Sequence, residues 1–256
     1  LRELGAKVEL GGNIGRAVLT LSPLDENRVY VLELSSFQID ITPSVRPTVA
    51  VLLNVSPDHI DRHGTVEHYA DVKRRLVDAA EDVTVIGVDD PWSADMARAL
   101  DARGSPVRRV SVGEKVDNGI SASEGKLYDC VPGKKDRLVA DLEGVATLRG
   151  RHNWQNAAAA FAAVAALPQA VRGKGDIAAA LRTFPGLAHR LEVVRRIGNV
   201  DFVNDSKATN ADSTEKALAT FSGDIYWIVG GRPKAGGIAA LAYYFPRITR
   251  AYLIGE

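Results

Sequence analysis

Glu33-Leu34-Ser35-Ser36-Phe37-Gln38 places a carboxylate and two hydroxyls directly behind an apolar run, and Asn54-Val55-Ser56-Pro57-Asp58-His59 places a carboxylate and an imidazole behind a second. In a parallel sheet, ligands collect in the crevice just beyond the carboxyl ends of the strands. A carboxylate from one strand end, Glu33, and an imidazole from another, His59, suit a hard divalent cation beside phosphate oxygens, because Mg²⁺ takes few protein ligands. Each residue alone has a plainer reading, Glu33 as a solvated sheet end and Asp58 as the start of a turn. His59 and His63 stand four apart, as in some zinc pairs, but the chain has one cysteine and no H-E-x-x-H string, which argues against zinc.

Lys73 is a sharper clue. On a helix turning about 100° per residue, Val66, Tyr69, Leu76, Val77 and Ala80 form one apolar stripe; Lys73 falls in its middle, with Arg74 and Arg75 outside. Such a lysine either snorkels its ammonium to solvent or, if buried, loses its proton more readily. A neutral amine can react with CO₂ to form a carbamate, which turns a cation into a metal ligand. Asn153 and Asn156, three apart at a helix start, allow one to cap while the other presents an amide able to pair with the N6/N7 edge of adenine. Beyond His189-Arg190, the loop Asp205-Ser206-Lys207-Ala208-Thr209-Asn210 offers a carboxylate for ribose hydroxyls and a cation for phosphate or carboxylate charge. Gly230-Gly231-Arg232-Pro233-Lys234 brings another cation to the same sheet edge. Gly11-Gly12-Asn13-Ile14-Gly15 is only loosely like a phosphate cradle, since neither G-x-G-x-x-G nor G-x-x-x-x-G-K-[ST] is spelled.

These residues need a scaffold, and short apolar runs alternating with helix-length segments predict α/β architecture with a mainly parallel sheet. Val29–Leu34, Thr48–Val55 and Val83–Val88 read as buried strands, and Thr65 caps a helix running to Ala80. From Val107 to Leu148 the text predicts small antiparallel strands. Asn153–Leu167 is an Ala-rich helix capped by Asn153, and Ile177–Phe184 a short one ended by Pro185-Gly186. That break sets a domain boundary, 1–186 and 187–256. The second part reads as strands Leu191–Ile197, Val200–Asn204, Ile225–Val229 and Thr249–Ile254. Its helices are one opened by the capping box Asp212-Ser213-Thr214-Glu215 and one over Ile238–Phe245, a βαβαβ order of Rossmann type.

The chain has 256 residues, enough for one or two domains with sizeable cores. Lys plus Arg and Asp plus Glu each total 32, so the net charge is zero and no nucleic-acid polymer is an expected partner. No apolar run approaches the roughly 18 to 20 residues of a bilayer span. One cysteine, Cys130, permits no internal disulfide and suits a reducing cytoplasm.

In order along essentially the whole chain, seven features together resemble the Mur ligase family. They are Gly12-Asn13-Ile14-Gly15, Glu33-Leu34-Ser35-Ser36-Phe37-Gln38, Asp58-His59-Ile60-Asp61-Arg62, Lys73, His152-Asn153-Trp154-Gln155-Asn156, His189-Arg190 and Asn204-Asp205-Ser206-Lys207-Ala208-Thr209-Asn210. The L-S-S-F-Q and N-D-S-K-A-T-N strings resemble the branch that adds D-glutamate rather than L-alanine, the third residue or the D-Ala dipeptide. The resemblance implies an ATP-binding central domain, 1–186, followed by the start of a Rossmann-like ligase domain, 187–256, both incomplete. A phosphate-binding glycine loop is expected before Leu1 and further ligase domain beyond Glu256, so residues 1–256 alone are expected to lack ligase activity. It further implies ATP, two Mg²⁺ ions and a carbamylated Lys73, with UDP-N-acetylmuramoyl-L-alanine and D-glutamate as substrates of a cytoplasmic, monomeric enzyme of peptidoglycan synthesis.

Glu33 then matches a ligand of one magnesium and His59 of a second, which Lys73 supports. Asn156 matches an adenine contact, Asp205 a ribose contact, and Arg190 and Lys207 contacts to the nucleotide and its phosphate charge. Asn13 and Ser35 match contacts to the uridine-linked substrate, Thr209 and Lys234 to the incoming glutamate. Two other readings stand beside this one: a non-catalytic nucleotide-binding module, and a ligase of the folylpolyglutamate synthase kind.

Overall fold

A computed structural model describes residues 1–231 and 237–255 of the chain, which form two compact units. Unit 1 comprises Leu1–Glu143 and Trp154–Thr183; unit 2 comprises Gly144–Asn153 and Phe184–Glu256. The break after Thr183 lies close to the expected boundary, but Gly144–Asn153 joins the second unit, where the Thr147 hydroxyl donates to the Phe184 carbonyl at 2.6 Å.

Unit 1 opens with strand β1 (Lys7–Gly12), which pairs in parallel with β2 (Arg28–Glu33) and aligns Gly12 with Glu33. Helix α1 (Ser36–Ile41) and β3 (Val49–Leu52) follow, then α2 (Ile60–His63), α3 (Val66–Asp78), β4 (Val83–Gly87) and α4 (Pro91–Ala102). Strands β5 (Val107–Ser111), β6 (Gly119–Ser123), β7 (Lys126–Cys130) and β8 (Arg137–Asp141) complete a six-stranded sheet in sequence order from β3 to β8. Helices α5 (Arg151–Ala166), α6 (Gln169–Arg172) and α7 (Ile177–Arg182) come last. Tyr69, Ala70 and Val77 of α3 and Met96, Ala97 and Leu100 of α4 pack with Ala50, Leu52, Ile86 and Val107 to form the core.

Several expectations need correction. The stretch from Val107 is not simply antiparallel: β5 and β6 extend the parallel ladder, and only β6, β7 and β8 form a meander. Its first turn is Glu124-Gly125, both at positive φ, which matches the right-handed twist of a two-residue hairpin. Helix α4 was not expected, although Asp90 accepts from the Ser93 N–H and Pro91 occupies the first turn, a recognisable start signal. Asn153 does not cap α5; it lies inside the helix and its amide donates to the Arg149 carbonyl.

Strand β1 escaped notice because a glutamate interrupts its apolar pattern. Glu9 is only 8% exposed, and its carboxylate accepts from Ser22 and pairs with Arg16 at 2.8 Å and Arg28 at 3.1 Å. The Ser22 hydroxyl, assisted by the two guanidiniums, holds its pKa below the ordinary range. The unfolded chain therefore takes up this proton first as pH falls, so the stabilisation is full above the ordinary glutamate pKa of about 4.3 and is lost below it. Glu9→Gln in the full-length protein is expected to lower the urea midpoint at pH 7 and to converge with wild type near pH 3. Equal midpoints at pH 7 would count against this role.

Unit 2 contains β9 (Glu192–Ile197), β10 (Val200–Asn204), α8 (Ala211–Thr220), β11 (Ile225–Gly230) and β12 (Ile248–Ile254). The order matches expectation, but the described residues do not join these strands into one Rossmann sheet. β9 and β10 form an antiparallel hairpin and β11 pairs in parallel with β12. The two residues between Ile197 and Val200 can only reverse the chain, since a parallel return needs a long crossover. Helix α8 is capped by Asn210, which forms a box with Ser213 two residues earlier than the expected box opening at Asp212. The Ile238–Phe245 segment is a 3₁₀ stretch, Ala239–Arg247, which runs through Pro246.

Candidate active site

The carboxyl ends of β1 and β2 meet through backbone. Gly12 has φ +114°, and a Cβ there would lie 2.2 Å from the Glu33 carbonyl oxygen, so glycine is required for the approach. The Asn13 N–H donates to that carbonyl at 2.7 Å, which seats Asn13 beside Glu33. The Glu33 side chain is exposed. Ser35 caps α1: its hydroxyl accepts from the Gln38 N–H, and the Gln38 side chain accepts from the Ser35 N–H at 3.0 Å. Ser36 is buried, with its hydroxyl 3.0 Å from His63 Nε2.

Beyond β3 the chain turns through Asp58 and His59, which adopts a left-handed conformation at φ 53°. The His59 N–H donates to Asp58 at 2.9 Å, and its ring packs edge-on against Phe37 at 5.1 Å. Phe37 in turn contacts His63, so the polar ends of β2 and β3 share an aromatic floor.

Lys73 faces this cluster from α3, on the stripe the sequence places it in. Thr65 caps the helix as expected, accepting from the His68 N–H at 3.1 Å. The Lys73 ammonium lies 5.0 Å from the Tyr69 ring centroid. Burial pushes its pKa down, and the carboxylates of Glu33 and Asp58 partly oppose that shift. Lys73, Glu33 and Asp58 are thus within electrostatic reach of one another. His59 meets Asp58 and Phe37 instead of Glu33 or Lys73 among the described contacts.

No preassembled group of three His, Cys, Asp or Glu ligands occurs among the described residues. The donors nonetheless fit Mg²⁺, whose coordination is completed by water and substrate phosphates around one or two carboxylates.

On α5, Asn156 is exposed one residue after the buried Gln155. The Gln155 amide donates to Asp89 at 3.3 Å. Gln155 was visible in the sequence only as a member of the His152-Asn153-Trp154-Gln155-Asn156 string, with no role of its own, and Asp89 did not stand out; the D-D-P string after an apolar run was its available signal.

In unit 2, the segment at 189–191 folds over the loop that follows β10. The Asp205 carboxylate accepts from the Leu191 N–H at 3.0 Å, and burial raises its pKa against the influence of Arg190. The Lys207 N–H donates to the His189 carbonyl, and the Asn204 amide lies 2.8 Å from His189 Nδ1. Arg190, Asp205, Lys207 and Thr209 therefore belong to one loop cluster, with Arg190, Lys207 and Thr209 exposed. Lys234 lies outside the described residues.

Carboxylates behind β2 and β3 of two neighbouring sheets, faced by the half-buried Lys73 of α3, fit a sequence matched by the Mur ligase middle domain over residues 13–164 and by the Mur ligase glutamate ligase domain over 189–256, and those matches place this chain in the Mur ligase family. Among curated relatives, UDP-N-acetylmuramoylalanine--D-glutamate ligase of Nitrobacter hamburgensis is 54% identical over the whole chain, and the protein of that name in Chelativorans is 52% identical. The chain spans 54% of the length of each. Among solved structures, MurF ligase from Thermotoga maritima in complex with ADP superposes with a TM-score of 0.68 at 16% identity, covering 98% of this chain and 62% of that one. Apo FPGS from L. casei gives a TM-score of 0.58 at 19% identity, covering 88% and 54%. At these identities the structural matches speak for the fold alone.

Proposed function

We propose that the full-length protein bearing this chain is an ATP-dependent ligase that joins D-glutamate to UDP-N-acetylmuramoyl-L-alanine, as a cytoplasmic, monomeric enzyme of peptidoglycan synthesis. The observation that carries the reading is identity of 50–54% along the entire chain to relatives named for that reaction. The inward Lys73 beside Glu33 and Asp58 supports it.

The substrate carboxylate attacks the γ-phosphorus of ATP, the bond to the bridging oxygen breaks, and ADP leaves. The amine of D-glutamate then attacks the acyl-phosphate carbon, phosphate leaves, and the amine proton passes to solvent. Glu33 and His59, supported by Lys73, are the residues that would hold two Mg²⁺ ions, which supply positive charge to the transferring phosphoryl group. The lowered pKa of Lys73 increases the share of neutral amine, which can bond to the carbon of CO₂ with release of a proton, giving a carbamate.

In unit 1, Asn13 and Ser35 face the uridine-linked substrate, and Asn156 offers its amide to adenine. In unit 2, Asp205 accepts from ribose hydroxyls, Arg190 and Lys207 neutralise nucleotide charge, and Thr209 and Lys234 face the incoming glutamate.

The test is ADP release by the full-length protein supplied with ATP, Mg²⁺, UDP-N-acetylmuramoyl-L-alanine and either enantiomer of glutamate. Release with D-glutamate and a matching amide product is expected. Incorporation of L-glutamate instead would favour a folylpolyglutamate synthase-like ligase, and no turnover a binding module.

A further inference from the structure

Strand β4 lies between β3 and β5, so the residues following it sit between the ends of both neighbours. Those residues are Val88, Asp89 and Asp90, and the two carboxylates reach in different directions. Asp90 accepts from the Val55 N–H at 3.2 Å, three residues before Asp58, while its other oxygen caps α4 through the Ser93 N–H at 2.9 Å. Asp89 accepts from the hydroxyl of Ser111, the last residue of β5, at 2.5 Å, and from the Val112 N–H at 2.9 Å and the Gly113 N–H at 3.0 Å just past it. Its fourth donor is the Gln155 amide of α5.

We propose that Asp89 and Asp90 are positioning residues that bracket the candidate site: Asp89 sets the orientation of α5, and with it Asn156, through Gln155, while Asp90 anchors the entry to the Asp58–His59 turn.

Gln155 is 8% exposed, and a buried amide needs a partner. Asp89 is solvent-exposed, so water could satisfy it without any of these contacts. Its convergence on a hydroxyl, two main-chain N–H groups and a buried amide fixes the relative placement of β5 and α5. The path of the Gln155 amide is itself cleared by Gly87, where a Cβ would lie 3.0 Å from Gln155 Nε2 and 2.0 Å from the Leu53 carbonyl oxygen. Because successive helical residues are about 100° apart, holding Gln155 inward determines the direction in which Asn156 points. A hydrogen bond to an ionised acceptor is the stronger kind, which suits a fixed contact.

The inference rests on the proposed ATP-dependent reading. Its test compares wild type, Asp89→Ala, Gln155→Leu, the double variant and Asp90→Ser in the full-length protein, measuring equilibrium ATP binding, turnover and thermal midpoint. Asp89→Ala and Gln155→Leu should each weaken ATP binding by about tenfold with turnover at saturating ATP changed by less than about threefold. The double variant should be no weaker than Asp89→Ala, since both remove one contact. Asp90→Ser keeps a capping oxygen for α4 but falls short of Val55, and should lower turnover by about tenfold with ATP binding unchanged.

Unaltered ATP binding in Asp89→Ala and Gln155→Leu, or a uniform loss of binding, turnover and thermal midpoint in all variants, would overturn the proposal. Wild type that binds ATP while the variants behave alike refutes the bracket and leaves the ligase reading intact. Wild type that binds no ATP refutes both.

Discussion

Lys73→Ala in the full-length protein lowers turnover by about 10²- to 10³-fold, the scale on which removal of a group that stabilises developing charge acts. The expectation follows from a placement whose partners, the Tyr69 ring and the carboxylates of Glu33 and Asp58, do not fully offset the cost of desolvation. Lys73 is half-buried along the apolar stripe of α3, desolvation depresses its pKa, and the opposing carboxylates of Glu33 and Asp58 only partly offset this. An ammonium that the fold disfavours should cost stability whenever it is charged. Lys73→Met is therefore expected to raise the thermal midpoint at pH 7 while turnover collapses. The sign follows from linkage: the folded pKa lies below the unfolded value of about 10.4, so the gain is full below the folded pKa and shrinks as pH climbs from there toward the unfolded value. Stability and activity moving in opposite directions would separate a functional lysine from a packing one. Added short-chain carboxylate should partly restore Lys73→Ala if a carbamate is the working form. Unchanged turnover at limiting CO₂ would count against it.

Glu33→Gln should have the second-largest effect, a fall in turnover of about 10²-fold with the Mg²⁺ requirement shifted upward by about tenfold. Glutamine keeps an oxygen but loses the charge that attracts a hard cation. Glu33 is exposed and its backbone carbonyl accepts from Asn13, so the substitution leaves the β1–β2 pairing untouched. Its thermal midpoint should match wild type. A Mg²⁺ titration of ADP release reads the effect, and superimposable curves for the two proteins would remove Glu33 from the metal side.

The parts of this arrangement that were legible in the sequence are those where local chemistry and tertiary packing agree. Thr65 caps α3, the stripe through Tyr69 and Val77 faces the core, and Lys73 faces inward with it. The ends of β2 and β3 were visible as polar residues behind apolar runs. Where packing overrode pattern, sequence reading missed: Glu9 hides β1 because its charge is neutralised by arginines seven and 19 residues away. Asn153 offered a capping side chain, but the helix starts earlier. The expected βαβαβ sheet of β10, β11 and β12 is not joined among the described residues, where β10 pairs with β9 and β11 with β12.

At the candidate site, the side chains that touch ligand in the proposed reading were found from strand ends and motif strings. Asp89 and Asp90 were not, and Gln155 was visible only as a member of the His152-Asn153-Trp154-Gln155-Asn156 string, because their roles lie in which groups they meet across the fold. Such contacts have no sequence period.

The most direct test of the metal-centred reading is a crystal structure of the full-length protein with a non-hydrolysable ATP analogue and Mn²⁺ in place of Mg²⁺, with the ion located by anomalous scattering. The account predicts a peak about 2.0 to 2.3 Å from a Glu33 carboxylate oxygen and beside the analogue's phosphates, with Lys73 facing it. A peak bound by the phosphates but remote from Glu33, Asp58, His59 and Lys73 would contradict it.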